Sequence, residues 1–427
     1  MERLMQYVWQ HRLLLPVDLN TVDGRRVSVI DPGRLNTDAG PDFFNAKVRI
    51  DGHLWVGDVE IHVRASDWHR HGHDGDPAYD SVVLHVVDRD DTLITRRNGE
   101  VIPQMVMACA PEFNQRYNDL VGRAATELPC AAELAAIPSI YVSDWFTALA
   151  FERFHEKSDR ILHLLSSMAD DWQSVCYITV ARALGFGING EPMERLARAV
   201  PLRILHKHAD SPEAVEALLF GQSGLLDRAP ADDDYAAMLR REHAFYVRKF
   251  SLTQPQPMGW KMARMRPPNF PHRRIALLAA LVTGGYRLLD DIIHAESAES
   301  AIEMFRVPLT GYWSRHFTFG PEADAHVPST LSRSSAIGLI INAVVPLIMA
   351  YGRRHGNDDM WHHGFQLLTE LPPESNSIIT LFASAGMKCS DASMSQALIQ
   401  LRRAYCEPRK CLYCRLGHRL LSARARR

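Results

Sequence analysis

Two periods divide the chain. Over residues 1 to about 110 the apolar residues come in short runs broken by Gly, Asp and Asn. The runs "RVSVID", "NAKVRID", "LWVGDVEIHV", "SVVLHVVD" and "EVIPQMVM" read as strands. "DG" at 23–24 and 51–52 and "NG" at 98–99 are turn dipeptides, and the second lies between two strand runs, where a hairpin turn belongs. The opening "MERLMQYVWQHRLLLP" patterns as an amphipathic helix, which gives the order α-β-β-β-(α)-β and predicts an α/β domain with a mixed sheet. From about residue 140 the period becomes 3.6. "SDWFTALAFERFHEKSDRILHLLSSM" starts at Ser143 or Asp144 as N-cap, and further helical segments fall near 172–184, 212–220, 233–249, 272–283, 335–351, 358–370 and 393–405. The expected fold class is α+β: a mixed α/β domain over 1–115, a linker over 116–140 and a larger all-α domain over 141–427.

Composition changes this picture little. The 427 residues are 46% hydrophobic and 23% charged, as in an ordinary soluble protein, and suffice for two or three cores. The formal charge of −2 excludes strong overall attraction to nucleic acid or membrane, so any such binding is local. His11 and Arg12 interrupt the apolar start, which therefore does not read as a secretory signal. The run "AIGLIINAVVPLIMAY" contains Asn342 and Pro346 and reads as too short to span a bilayer. A cytoplasmic location with no membrane partner is the expectation.

The chemistry concentrates on one strand. Side chains two apart share a face, so Asp58, Glu60 and His62 are neighbours, while Val59, Ile61 and Val63 point the other way, onto the N-terminal helix. Asp42 follows Pro41 at the entry to the preceding strand, and the DG hairpin brings it beside Glu60. Two carboxylates a few ångströms apart repel unless a cation or a proton lies between them. Oxygen ligands suit Mg²⁺ or Mn²⁺, and an imidazole shifts the preference toward Mn²⁺. Seven of the twenty histidines lie in this region, among them His69, His71 and His73 in "DWHRHGHDGD" and His85, the sole polar residue of "VVLHVV". Two other readings follow: a transition-metal site with Glu60, His62, His73 and His85 as ligands, or a solvated sheet face with His85 as a hydrogen-bonded core residue.

Pro41-Asp42 followed by Glu60-Ile61-His62, with the helix and strands in that order, resembles the PD-(D/E)xK nuclease superfamily over the first hundred residues. The resemblance implies a nuclease-like fold in which Asp42 and Glu60 hold the metal and the third residue orients or activates the attacking water. His62 stands where that superfamily usually has Lys, as a general base, a metal ligand or a weak cation.

Four of the seven cysteines, Cys389, Cys406, Cys411 and Cys414, crowd near the C-terminus. Closely spaced thiols in a chain with no export signal read as a metal site. Cys406 and the C-x-x-C pair Cys411 and Cys414 supply three ligands, and Cys389 or His418 a fourth, for Zn²⁺ or an iron–sulfur cluster. Cys109, Cys130 and Cys176 read as small core residues. Residues 243–289 hold eight Lys or Arg and no acid, with aromatics interleaved. There Arg264, Arg266, Arg273, Arg274 and Trp260 are the candidate nucleic-acid contacts. "GFGING" at 185–190 follows a helical pattern and is set aside as a dinucleotide site.

The stretches "GPDFFNAKV", "GDVEIHVRASDWHRHGH", "YDSVVLHVV", "EALLFGQSGLL", "RPPNFPHRRIALLA" and "SQALIQLRRAYC" with "CLYC" resemble an uncharacterised bacterial family, the domain of unknown function numbered 2851. The leading expectation is a metal-dependent phosphodiester hydrolase acting on nucleic acid, with Asp42 and Glu60 on the ion, Asp58 assisting and His62 serving the water. The alternatives are a catalytically inactive nuclease-like fold that binds nucleic acid or protein, and a His-based metal hydrolase with another substrate.

Overall fold

The computed structural model describes residues 1–13, 19–36, 38–107, 111–122, 127–134, 137–253, 257–285 and 287–422. Cys109 lies outside the described residues. The chain forms two compact units, one of Met1–Phe146, Thr380–Lys388 and Leu401–Arg427, the other of Thr147–Ile379 and Cys389–Gln400. A mixed N-terminal sheet followed by a helical part makes the protein α+β.

The first unit opens with helix α1, Glu2–Gln10, and continues into strands β1 (Leu19–Asn20), β2 (Arg26–Asp31), β3 (Arg34–Leu35), β4 (Phe43–Ile50), β5 (His53–Arg64), β6 (Val82–Arg89) and β7 (Gln104–Val106). The sheet order is β1-β2-β4-β5-β6-β7, with β3 on the start of β4. Neighbours are antiparallel up to β5, which reaches β4 through the Asp51-Gly52 turn. Strand β6 then joins β5 in parallel, after a crossover through the short helix α2, Asp67–Arg70, and β7 joins β6 in parallel. On one sheet face Leu4, Met5, Val8 and Trp9 of α1 pack with Phe43, Val48, Val59 and Ile61 in a single core. Each such side chain contributes about 1.5–3 kcal/mol on burial. Trp68, Tyr79, Val82, Ile94 and Ile102 form a smaller cluster elsewhere in the unit.

Helix α3, Pro111–Gly122, runs from the end of the expected first domain into the expected linker. Helix α4 then runs from Ser139 to Ser167, so it starts a turn before the expected caps Ser143 and Asp144. Pro138 explains the earlier start, because a proline is tolerated where a helix's first N–H groups lack partners anyway. The remaining helices of the second unit surround a large aliphatic core that includes Cys176.

The apolar run around Pro346 belongs to a helical stretch, Arg333–His355, of 23 residues. That is long and apolar enough to cross a membrane by length and composition, contrary to the expectation, although 72% of its most apolar window is buried. Pro346 is accommodated because a π-turn over Ile340–Val344 precedes it and leaves it in the first turn of Val345–His355. The last residues also depart from expectation. From Leu401 the chain belongs to the first unit, where Leu412 and Leu421 enter the core around α1.

Candidate metal centre

The site begins with a miscount in the sheet. Ala46 pairs with Gly57, but Phe43 pairs with Val59, so β4 holds one residue more than β5 across that interval. Without this bulge Asp42 would fall opposite Ile61, on the buried apolar face. With it, Asp42 falls opposite Glu60, because a one-residue slip exchanges the faces of a strand. Asn45 adopts the left-handed conformation that the bulge demands, φ 55°. Its N–H donates to Asp58 Oδ1 at 3.0 Å, while Ser81 Oγ donates to Asp58 Oδ2 at 2.6 Å. Asp58 therefore does not join Glu60 and His62 as a catalytic group, as alternation predicted. A second register shift, between Asp58 and Val59, puts its extra residue, Val83, in β6, so β5 keeps its alternation and Asp58 is withheld by its two hydrogen bonds. Asp58 is a positioning residue for the bulge.

The two acids are tied to each other and to α1. Asp42 N–H donates to Glu60 Oε2 at 2.9 Å, Ile61 N–H donates to Asp42 Oδ2 at 3.0 Å, and Gln6 Nε2 donates to Asp42 Oδ1 at 2.9 Å. Glu60 is 5% exposed. Burial raises both carboxyls far above the usual carboxylate range; the charge of Glu60 adds to the effect on Asp42, and that of Glu2 adds for both. Among the described residues no Lys or Arg appears among those causes for either carboxyl.

Beside Glu60 stand four histidines. His62 lies two residues on along β5, and His85 pairs with Glu60 across β5 and β6. His71 and His73 follow α2, where the N–H groups of His71 and His73 donate to the carbonyls of Asp67 and Trp68. Gly72 between them takes φ 76°, which lets the loop turn both rings toward the sheet. His62 Nε2 lies 3.1 Å from His71 Nδ1 and 3.4 Å from Glu60 Oε1, and His73 Nε2 also lies 3.4 Å from Glu60 Oε1. One ring nitrogen each of His62, His71 and His73 falls within 4.8 Å of the other two, a spacing that can hold one ion. His73 is fixed by stacking on Tyr79, with ring centroids 3.8 Å apart. His69 points elsewhere, to Asp74.

The hydrogen bonds behind His62 decide which of its nitrogens is free. Gln104 Nε2 donates to Asp90 Oδ1 at 2.5 Å and to the Thr92 carbonyl at 3.2 Å, which leaves Gln104 Oε1 as an acceptor. It accepts from His85 Nδ1 at 2.9 Å, so His85 Nε2 carries a lone pair. That lone pair accepts from His62 Nδ1, again at 2.9 Å. His62 Nε2 must then present its own lone pair to His71 and Glu60. Such a second layer fixes the tautomer and the ring orientation of a metal-binding histidine. Burial, reinforced by the other histidines, pushes His62 far down, so it is a neutral imidazole. It is not the weak cation expected in place of Lys, and its Nδ1–H is committed to His85. His85 is completely buried with both nitrogens engaged, so it is a relay behind the site and not a ligand.

Sequence reasoning named Asp42, Glu60, His62 and His73, which the structure brings together. It passed over His71 as a ligand, although the His-Gly-His spacing is a usable signal, and it missed Gln6 and Gln104. The other candidates are dispersed. Cys389 donates to the Asp391 carbonyl and belongs to the second unit, apart from Cys406, Cys411 and Cys414. His418 meets the Tyr7 hydroxyl and the His11 ring. Arg273 and Arg274 are each 4% exposed. Arg273 donates to the carbonyls of Trp313, His316 and Pro328, while Arg274 donates to Asn269 and Ser335 and lies over Phe186. Trp260 Nε1 donates to the Ser223 carbonyl, and the ring packs on the helical core. These three are structural, and only Arg264 and Arg266 of the expected nucleic-acid contacts are exposed.

A mixed sheet with a histidine- and carboxylate-lined centre, followed by a helical unit, defines an α+β protein with a candidate metal site. The chain belongs to the family described as "Protein of unknown function (DUF2851)", which matches residues 2–377. The stretches "SQALIQLRRAYC" and "CLYC" lie beyond that match. No curated protein and no solved structure matches the chain.

Proposed function

We propose that the protein is a metal-dependent hydrolase acting on phosphodiesters of nucleic acid, with its centre at Glu60, His62, His71 and His73. The observation that carries this is the lone pair of His62 Nε2 aimed at a second imidazole nitrogen 3.1 Å away and at a buried carboxylate oxygen 3.4 Å away. An imidazole lone pair, a second imidazole nitrogen and a buried carboxyl oxygen converging on one corner form a donor set that a cation can join. Three imidazoles and a carboxylate suit Mn²⁺ or Zn²⁺ better than Mg²⁺, which prefers an oxygen shell. When bound, such an ion polarises a phosphoryl oxygen and makes water more acidic.

The chain's own residues supply the rest. Asp42, held by Gln6 and Ile61 and raised toward neutrality by burial, is the group able to take a proton from an attacking water. His71 is exposed, so a substrate can approach from its side. The order helix, antiparallel strands, short helix, parallel strand, with Asp42 at the entry to β4 and Glu60 on the adjacent β5, supports the nuclease-like reading. Arg264 and Arg266 remain the candidate backbone contacts. The burial of Arg273 and Arg274 and the structural hydrogen bond of Trp260 favour a second reading, a hydrolase of the same centre with a substrate other than nucleic acid.

The test uses the full chain, stripped of metal and given Mg²⁺, Mn²⁺ or Zn²⁺ in turn. Its substrates are single- and double-stranded DNA and RNA and an activated phosphodiester. Cleavage that needs Mn²⁺ or Zn²⁺ and disappears in Glu60→Gln and His62→Ala is the expected result. Cleavage untouched by both substitutions would refute the assignment, and turnover of the simple diester alone would favour the second reading.

A further inference from the structure

The C-terminal cysteines find a fourth partner that their spacing did not suggest. Cys130, Cys406, Cys411 and Cys414 line one small cavity of the first unit, walled otherwise by apolar side chains such as Leu120 and Leu416. Burial disfavours charge on Cys130 and Cys406, and the neighbouring cysteines around the same cavity add to it: Cys411 and Cys414 for Cys130, and Cys130, Cys411 and Cys414 for Cys406. No disulfide joins them, and Cys406, Cys411 and Cys414 are at most 8% exposed. Cys389 is raised by burial and by Asp391 and Glu374, with no other cysteine among those causes. Cys130 is thus not the plain core residue its surroundings in sequence suggest.

Burial raises all four thiols, so charged sulfur here needs a cationic partner, and one of the four already has donors aimed at it. The backbone N–H groups of Leu416 and Gly417 donate to Cys414, an arrangement that stabilises a thiolate. The indole N–H of Trp145 is buried with no oxygen or nitrogen acceptor and is directed at the same sulfur. Gly417 sits so close under the cysteine turn that a Cβ there would lie 2.1 Å from the Cys411 carbonyl oxygen. No three described cysteine sulfurs fall within 4.8 Å of one another. A single tetrahedral zinc with bonds of about 2.3 Å would draw its sulfurs to about 3.8 Å. A multi-iron cluster holds its thiolates further apart, since each binds a different metal atom.

We propose that Cys130, Cys406, Cys411 and Cys414 together ligate one metal centre through four thiolates, and that it is an iron–sulfur cluster. The site joins the segment after α3 to the end of the chain within one unit, and it stands independently of the chemistry at Glu60. Its role is structural, since the surrounding cavity is apolar and closed by the same tail that supplies three of the ligands.

The full chain purified without oxygen tests this by metal and sulfide analysis and by absorption spectroscopy. Iron and acid-labile sulfide in equal amounts, with a broad visible band, are expected. Cys130→Ser should lose at least half of the iron, while Cys389→Ser should keep it. Should Cys130→Ser fail to fold, X-ray absorption at the metal edge of the unaltered protein decides, with a sulfur-only shell expected. A shell containing nitrogen, equal losses in the two variants, or protein without bound metal would overturn the ligand set. One zinc ion in a sulfur-only shell would overturn the cluster.

Discussion

Replacing Gln104 by Met tests the centre without touching a ligand. The substitution keeps the length of the side chain and removes its amide. Asp90 is exposed and replaces its lost donor with water, so the damage concentrates on His85. His85 Nδ1–H, completely buried, loses its only acceptor. The ring then has two options. It can keep its tautomer and leave a buried donor unpaired, at about 1–3 kcal/mol. Alternatively it can move its proton to Nε2, where it meets His62 Nδ1–H and forces His62 to protonate the nitrogen that faces the ion. The first cost falls on folding stability and the second on metal binding, where 1–3 kcal/mol corresponds to about 5- to 150-fold in affinity. Competition of the metal-free protein with a chromophoric chelator for Zn²⁺ or Mn²⁺ near neutral pH measures this, with circular dichroism as a check on the fold. An affinity within twofold of the unaltered protein together with an unchanged denaturation midpoint would refute the relay and with it the assignment of His62 Nε2 as a donor.

Asp58→Ala should release the Asn45 bulge, lower stability by about 1–3 kcal/mol and weaken metal binding at least tenfold, read by denaturant titration and the same competition assay. His71→Ala should weaken metal binding comparably while the thermal midpoint of the metal-free protein barely moves, because that ring is exposed. In the helical unit, burial raises the Glu216 carboxyl from 4.5 to about 7, despite hydrogen bonds donated by Trp313 and Tyr235. The folded state keeps a proton that the unfolded state has released between those values, so stability falls by about 3 kcal/mol as pH rises through that window. Glu216→Gln should flatten the dependence in urea titrations at the two ends of it. Replacing both Arg264 and Arg266 by Ala should leave stability unchanged and lower the salt slope of nucleic-acid binding by about 2. Arg273→Ala should instead destabilise, by leaving three buried carbonyls without their donor.

How much was legible follows from the range of each signal. Alternation and turn dipeptides are local, so the sheet half, the Asp51-Gly52 hairpin and the meeting of Asp42 with Glu60 could be read from the chain. Helical periodicity located 172–184 and 358–370 to the residue. The bulge at Asn45 is a one-residue event with no composition of its own, and so the hydrogen bonds that commit Asp58 to it could not be read from the chain. The charge run at 243–289 records what the residues are and not what covers them. Arg273 and Arg274 share an amphipathic helix, Pro271–Thr283, that is almost wholly enclosed, and carbonyl oxygens satisfy Arg273 there. The pairing of Cys130 with the tail spans almost three hundred residues, a distance at which no pattern of spacing operates. Chain order suggested that the tail continued the helical domain, and only the packing of Leu412 and Leu421 reveals its return.

That return sets a timetable for synthesis. A ribosome makes α1 and the sheet first, yet the core around Trp9 is incomplete until Leu421 has emerged. The intervening helical unit, mostly contiguous from Thr147 to Ile379, can collapse earlier on local contacts alone. The first part of the protein to be made is therefore the last to be finished, and its apolar sheet face stays open in the interval. A nascent chain halted before Leu401 should hold a folded helical unit behind an N-terminal half still accessible to protease and to chaperones.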